Sequence, residues 1–255
     1  MKYGPLSALT GLLLAAGAAS ASASSITLSY EGRDPLGGVS DSFSLTYAQD
    51  WWGIYRVRGD AGAIHMKDQN GTSLITWCLD LFGSLTDDRT YQTTDTPFGD
   101  NLIEKYRLNN IQALFDTNYA SLDLKDVSQS AGFQIALWEL LYEESDTYNV
   151  GGRNSRGKKG NFYVDQGNRS AVRKANEYLS NIAKDIAGEI YDLTFYDAGS
   201  ESGKHWHKDY QDLVSASKIP VNNTPEVPLP ATAWLLGGGL AALFGFSRRS
   251  KAAKA

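Results

Sequence analysis

The chain has 255 residues, of which 24 are Lys or Arg and 29 are Asp or Glu, giving a net charge of −5 with the histidines neutral. That acidic balance excludes non-specific nucleic-acid binding, which needs a basic surface to displace phosphate counterions. Cys78 is the only cysteine, so no intrachain disulfide can form.

The first residues read as an export signal. Lys2 supplies a positive start, Leu6 to Ala19 is an Ala/Leu-rich apolar run, and "ASA" at 21–23 offers small residues for cleavage after Ala23. Residues 1–23 are therefore expected to be removed on the way out of the cytoplasm. Four segments follow that are rich in β-branched and aromatic residues and separated by Gly, Asp and Asn: 25–31, 41–48, 53–59 and 73–82. They predict strands, with Cys78 on the last of them.

The middle of the chain turns to helical spacing. Residues 100–118 carry Asp100 as N-cap and apolar positions at Ile103, Tyr106, Ile111, Leu114 and Phe115. Residues 126–144 start with Asp126 and place Gln129 three positions on, close to a capping box. Residues 170–188 align Val172, Ala175, Leu179, Ile182 and Ile186 on one face and end at Gly188. The glycine-rich, basic stretch 149–168 between the last two reads as a long exposed loop, a binding lip or simply a solvated connection. Strands are expected again at 189–197 and 210–217. Strands, then helices, then strands make the domain over 24–217 an α+β fold, with sandwich- or barrel-like strands and a helical insertion. A Pro/Asn linker covers 218–226.

The C-terminal 227–255 has its own logic. Val227, Pro228, Leu229, Pro230 and Ala231 spell VPLPA, an apolar run continues to Phe246, and Arg248, Arg249, Lys251 and Lys254 close the chain. The run is short of the ~20 residues that span a bilayer comfortably, and its basic flank belongs on the cytoplasmic side. Motif, span and basic cluster in that order resemble the PEP-CTERM sorting signals of bacteria. The resemblance implies a transient short membrane helix in the inner membrane, recognition by an exosortase-type enzyme, cleavage near the motif, and delivery to the cell surface or extracellular matrix; a permanent tail anchor is the cruder reading. Loss of both ends removes Lys2 and the four C-terminal basic residues, leaving 19 of 24 basic residues against all 29 acidic ones, about −10.

Two residues of the remaining domain are oddly placed. Cys78 is a lone thiol on a buried-looking strand of an exported protein, where thiols are open to oxidation and crosslinking. On the helix over 126–144, Ser128, Gly132, Ala136, Glu139 and Glu143 form a small and polar side. Val127, Ala131, Gln134, Trp138 and Leu141 form an apolar stripe, and Gln134 is the polar intruder in it. A buried amide without partners costs about 1–3 kcal/mol. One bond would account for both residues: attack of the Cys78 sulfur on the Gln134 side-chain carbonyl, with loss of ammonia, gives an internal thioester. Removing the amide altogether is then expected to be close to neutral for stability.

The motifs around the two residues resemble the Cys-Gln thioester domains of bacterial surface adhesins. "WCLD" at 77–80 matches their cysteine motif and "FQIALW" at 133–138 their glutamine helix, although Phe133 stands where many members have Thr. The 56-residue separation with helical sequence between, and the later 175–183 and 210–214 segments, extend the likeness over most of 26–216. It implies a thioester-domain fold and single-use capture of a nucleophile on a host, neighbouring-cell or matrix protein or polysaccharide, with Trp77, Phe133 and Trp138 as shielding. Asp80 is a candidate for proton handling, against a plain role as a turn residue. No cofactor, metal or nucleic-acid partner is expected, and the chemistry is autocatalytic rather than enzymatic. Two alternatives stand beside it: a non-covalent structural protein of the exopolysaccharide matrix, and a cysteine hydrolase drawing on His65, His205 or His207. The "HWH" at 205–207 offers too few ligands for a metal site.

Overall fold

The computed structural model describes residues 24–32, 41–49, 53–97, 105–145, 147–151, 160–182, 189–199 and 210–220. The segment 1–23 expected to be an export signal, the VPLPA tail with its apolar run, and His205 and His207 lie outside the described residues. No described helix is long and apolar enough to cross a membrane.

Nine strands are described: β1 (Ser25–Gly32), β2 (Asp41–Gln49), β3 (Gly53–Ala61), β4 (Ile64–Asp68), β5 (Ser73–Cys78), β6 (Arg89–Thr94), β7 (Phe162–Gln166), β8 (Tyr191–Asp197) and β9 (Leu213–Lys218). Six of them close an antiparallel barrel in the order β1-β4-β5-β9-β8-β6, and β3-β2-β7 form a separate antiparallel sheet. Three helices, α1 (Lys105–Asn118), α2 (Val127–Tyr142) and α3 (Arg169–Asn181), come between β6 and β8 in the chain, with β7 inserted between α2 and α3. The α+β class with barrel-like strands and a helical insertion is what the structure shows.

The differences from sequence expectation are local. Strand β5 ends at Cys78 rather than at 82. Strands β4, β6 and β7 are additional. Strand β4 is turned back onto β5 by Asp68, whose Oδ1 accepts from the N–H groups of Asn70 (2.8 Å) and Thr72 (2.7 Å). Strand β7 corrects the reading of 149–168 as one exposed loop: Val150 and Phe162 are fully buried, and β7 pairs with β2 from Leu45↔Val164 to Tyr47↔Phe162. Residues 152–159, which hold most of the basic character of that stretch, are outside the described residues.

Helix α2 is the central element. It is buried on every side from Ser130 to Leu141, so the side bearing Glu139 is as enclosed as the apolar stripe. Gly132 explains how α3 comes so close. A Cβ there would stand 2.9 Å from the Ala171 carbonyl oxygen and 2.8 Å from the Lys174 Cβ. The helix begins as its sequence dictates. Asp126 Oδ1 accepts from the N–H groups of Ser128 (2.8 Å) and Gln129 (3.1 Å), and Gln129 Nε2 donates back to Asp126 Oδ2 (3.3 Å). The Gln129 N–H bond is the main cause holding the Asp126 carboxyl below its usual range. Asp126→Ala is expected to cost about 1 kcal/mol, read as a shift in the urea midpoint at neutral pH. The difference from wild type should shrink as acid protonates Asp126 through its lowered folded-state value.

Candidate functional site around Cys78 and Gln134

Strand β5 runs between β4 and β9, and its neighbours determine what its last residue can bond to. On the β9 side, Cys78 lies opposite Leu213, and the Leu79 N–H donates to the Asp212 carbonyl at 2.9 Å. On the β4 side the ladder ends with Ile64↔Thr76. The N–H and C=O of Cys78 would need a further rung there, and Gln134 supplies it. Its Oε1 accepts from the Cys78 N–H at 2.9 Å, and its Nε2 donates to the Cys78 carbonyl at 2.8 Å. The side-chain amide of one helical residue thus stands in for a strand. Its orientation is fixed, because the N–H can face only Oε1 and the C=O only Nε2.

The stripe that carries Gln134 continues along the same ends. One turn earlier, Ser130 Oγ accepts from the Ala63 N–H at 2.8 Å; two turns later, the Tyr142 hydroxyl donates to the Leu79 carbonyl at 3.1 Å. Ser130, Gln134 and Tyr142 are each four residues or a multiple of four apart, so one face of α2 is bonded to β5 and the β3–β4 connection at three levels. Gln134 is fully buried and Cys78 is 5 % exposed.

Beyond Cys78 the strand is ended by a second substitution. The Asp212 N–H, which a regular ladder would direct to the Leu79 carbonyl, instead donates to Asp80 Oδ2 at 2.6 Å. Asp212 in turn accepts the Ala198 N–H on Oδ1 at 2.8 Å, and Gln211 Nε2 donates to the Asp80 carbonyl at 2.9 Å. Asp80, Gln211 and Asp212 are all buried. The carboxylate of Asp80, a candidate for proton handling, is thus engaged in closing the strand. The Tyr91 phenol stands within the field of the same group of residues. It is pushed up to about 12, by burial first, with Asp212, Cys78 and Asp80 adding to the rise against an opposing effect of Arg89.

The three aromatic residues named as shielding are all buried. Trp77 and Phe133 pack on each other with ring centroids 4.6 Å apart, and Tyr119, Phe115 and Tyr178 surround Phe133. Alternation along β5 turns Trp77 to the face opposite Cys78. Trp77 and Phe133 therefore brace the strand and helix from the core side. Trp138 is one turn beyond Gln134 on the same stripe, and its indole N–H makes no hydrogen bond, so it contributes packing alone. His65 lies opposite Ile75, three residues from Cys78 along β5, and its Nδ1 makes no hydrogen bond. That arrangement gives Cys78 no imidazole partner through Nδ1.

Sequence reasoning identified Cys78 and Gln134 but missed their supports. Ser130 and Tyr142 were legible from their spacing on the Gln134 stripe. Gln211 and Asp212 had no local signal, because their role depends on which strand lies beside β5.

No known family's sequence profile matches the chain. No curated protein matches it either. Among solved structures, it is similar to the N-terminal domain of the pilus tip adhesin Cpa of Streptococcus pyogenes, with a TM-score of 0.39 and 12 % identity, covering 71 % of this chain and 94 % of that one. It is also similar to the N-terminal thioester domain of the fibronectin-binding protein SfbI of the same organism, with a TM-score of 0.39 and 16 % identity, covering 70 % and 95 %. Superpositions this loose fix neither family nor chemistry, which have to come from Cys78 and Gln134 themselves.

Proposed function

We propose that this domain is an exported, surface-delivered adhesin-like module whose Cys78 and Gln134 form an internal thioester. The observation that carries the reading is the paired hydrogen bond of the Gln134 amide to the backbone of Cys78, which holds the amide against the residue bearing the thiol. Proximity of this kind replaces a bimolecular encounter with a preset one.

In the forming reaction, the Cys78 sulfur attacks Gln134 Cδ and gives up its proton. The Cys78 N–H already points at Oε1, where negative charge develops, and it acts as a single oxyanion donor. The C–N bond breaks, and Nε2 leaves as ammonia with the proton from the thiol. A target amine or hydroxyl then attacks the same carbonyl, forming an amide or ester, and Cys78 is released as a thiol. Each molecule reacts once, so this is not turnover catalysis. The target is a protein or polysaccharide nucleophile on a host, a neighbouring cell or the matrix. Delivery uses the signal at 1–23 and the VPLPA segment, with an exosortase-type enzyme as processing partner.

One observation favours a second reading. Both polar atoms of the amide are satisfied as they stand, so Gln134 also makes sense as a structural rung in a non-covalent matrix protein.

Intact mass separates the two. Freshly purified wild-type domain is expected to be lighter than its sequence by one ammonia and to resist thiol alkylation while folded. Methylamine should add one adduct at Gln134 and open Cys78 to alkylation in the same step, and Cys78→Ala should show full mass and no adduct. Full sequence mass with a Cys78 that alkylates without amine treatment would establish the structural reading instead.

A further inference from the structure

The end of helix α2 carries two buried acids, Glu139 within the helix and Glu143 as its C-cap, that take no part in the Cys78 site. They lie one turn apart and both face the connection from α2 to β7. Glu139 Oε1 accepts from the Asn149 N–H at 2.7 Å. Glu143 accepts from the Ser145 N–H on Oε1 (2.9 Å) and from the Phe162 N–H on Oε2 (3.3 Å). Gly160 lies so close to Glu143 Oε2 that a Cβ there would collide with it. Val150 is tied in next to them: its N–H donates to Asn176 Oδ1 at 3.1 Å, and its carbonyl accepts from the Val164 N–H at 2.7 Å. Two carboxylates thus gather backbone N–H groups from both ends of the connection.

The two acids are not equally provided for. Glu143 uses both oxygens. Glu139 Oε2 is buried and makes no hydrogen bond, and the residue has no solvent exposure. A buried oxygen without a partner is tolerable on a neutral carboxyl and costly on a carboxylate. No described cation offsets it. Arg107 of α1 donates to carbonyls at the end of α2, those of Leu141 (3.0 Å) and of the C-cap Glu143 (2.6 Å). Lys174 of α3 packs at Gly132, two turns back, and pairs with Glu177. Arg56, Arg58 and Asp60 of β3 and Asp165 of β7 are exposed, and β2 has no charged residue among its described side chains.

We propose that Glu139 and Glu143 form a pH-sensitive clasp, in which protonated Glu139 holds residues 143–145 and 147–151 against α2 and its ionisation releases them. Burial raises the Glu139 carboxyl to about 8, and the charge of Glu143 adds to the rise, while the Asn149 bond opposes it. The proton is therefore held at neutral pH and lost in the mildly alkaline range. Above that range the ionised group needs water at Oε2, which the cover excludes, so the cover opens although the Asn149 bond itself favours the carboxylate. Residues 143–145 and 147–151 are then expected to loosen without unfolding of the barrel.

Hydrogen exchange of backbone amides in the whole protein, corrected for the intrinsic effect of pH, tests this between pH 6 and roughly 10, a window set by the ionisation range of a perturbed carboxyl. Protection of Ser145 and Asn149 should fall by about tenfold or more as pH rises from 6 to about 8 and stay level above it, with β5 and β9 unchanged. Glu139→Gln keeps an acceptor for Asn149 and cannot ionise, so its protection should stay flat. Glu143→Gln removes the neighbouring charge, so its midpoint should move to lower pH. The same profile in wild type and Glu139→Gln would overturn the clasp. Should Glu139→Gln fail to fold, an unmoved midpoint in Glu143→Gln would overturn it equally.

Discussion

Phe133→Ala should be the most destabilising single substitution in the domain, by about 3–5 kcal/mol. The residue is fully buried and touches four aromatic rings: Trp77 (4.6 Å between centroids), Phe115 (5.0 Å), Tyr119 (5.8 Å) and Tyr178 (6.1 Å). These rings come from β5, α1, the turn after it, and α3, so the cavity left by alanine would lie where four segments meet. Edge-to-face and tilted ring pairs add about 0.5–1.5 kcal/mol each beyond the area they bury. Guanidinium denaturation of the variant should show a lower midpoint at an unchanged slope. A loss below about 1 kcal/mol would mean that the four segments close over the vacancy.

Gln134→Ala is expected to cost about 2–5 kcal/mol, apart from abolishing any thioester. The variant leaves the N–H and C=O of Cys78 without their rung, at about 1–3 kcal/mol for each buried group that stays unsatisfied. Sequence reasoning pointed the other way, towards a near-neutral change, because a polar residue on an apolar stripe looked like a burden to its own helix. The structure shows that the amide serves the strand. The appropriate reference is Cys78→Ala, which keeps the backbone rung and cannot form the bond, so that denaturation of Cys78→Ala and of the double variant measures the rung alone. A double variant as stable as Cys78→Ala would show that water or a shifted backbone takes the place of Gln134.

The contrast between these two positions indicates what the sequence could disclose. The helical spacing of α2, the Asp126 cap and the β-rich character of residues around Cys78 are local, and each was readable. Cys78 and Gln134 stood out because each was the wrong residue type for its surroundings. What was not readable depended on neighbours distant in the chain. Strand β7 was hidden in a glycine-rich stretch because its pairing partner β2 is more than a hundred residues away. The end of β5 at Cys78 depends on Asp212, 132 residues from the carboxylate of Asp80 that receives its N–H. Glu139 read only as part of a small and polar side because periodicity reports only where the apolar residues lie. It cannot report that a second layer covers the other side.

The position of β9 has a mechanical consequence. This strand leads from the barrel toward the C-terminal segment, and it lies between β5 and β8, bonded to both. Tension applied from the C-terminal side enters at Lys218 and runs along the strand axis, perpendicular to its hydrogen bonds. Both rows are then loaded in shear and must fail together, whereas a strand at an open edge would peel away one bond at a time. The load passes first to β8, through Tyr191↔Lys218, and reaches Cys78 only at the far end of the strand, opposite Leu213. Force entering at Lys218 is thus spread over both hydrogen-bonded rows of β9 on its way to the Cys78 end of the strand.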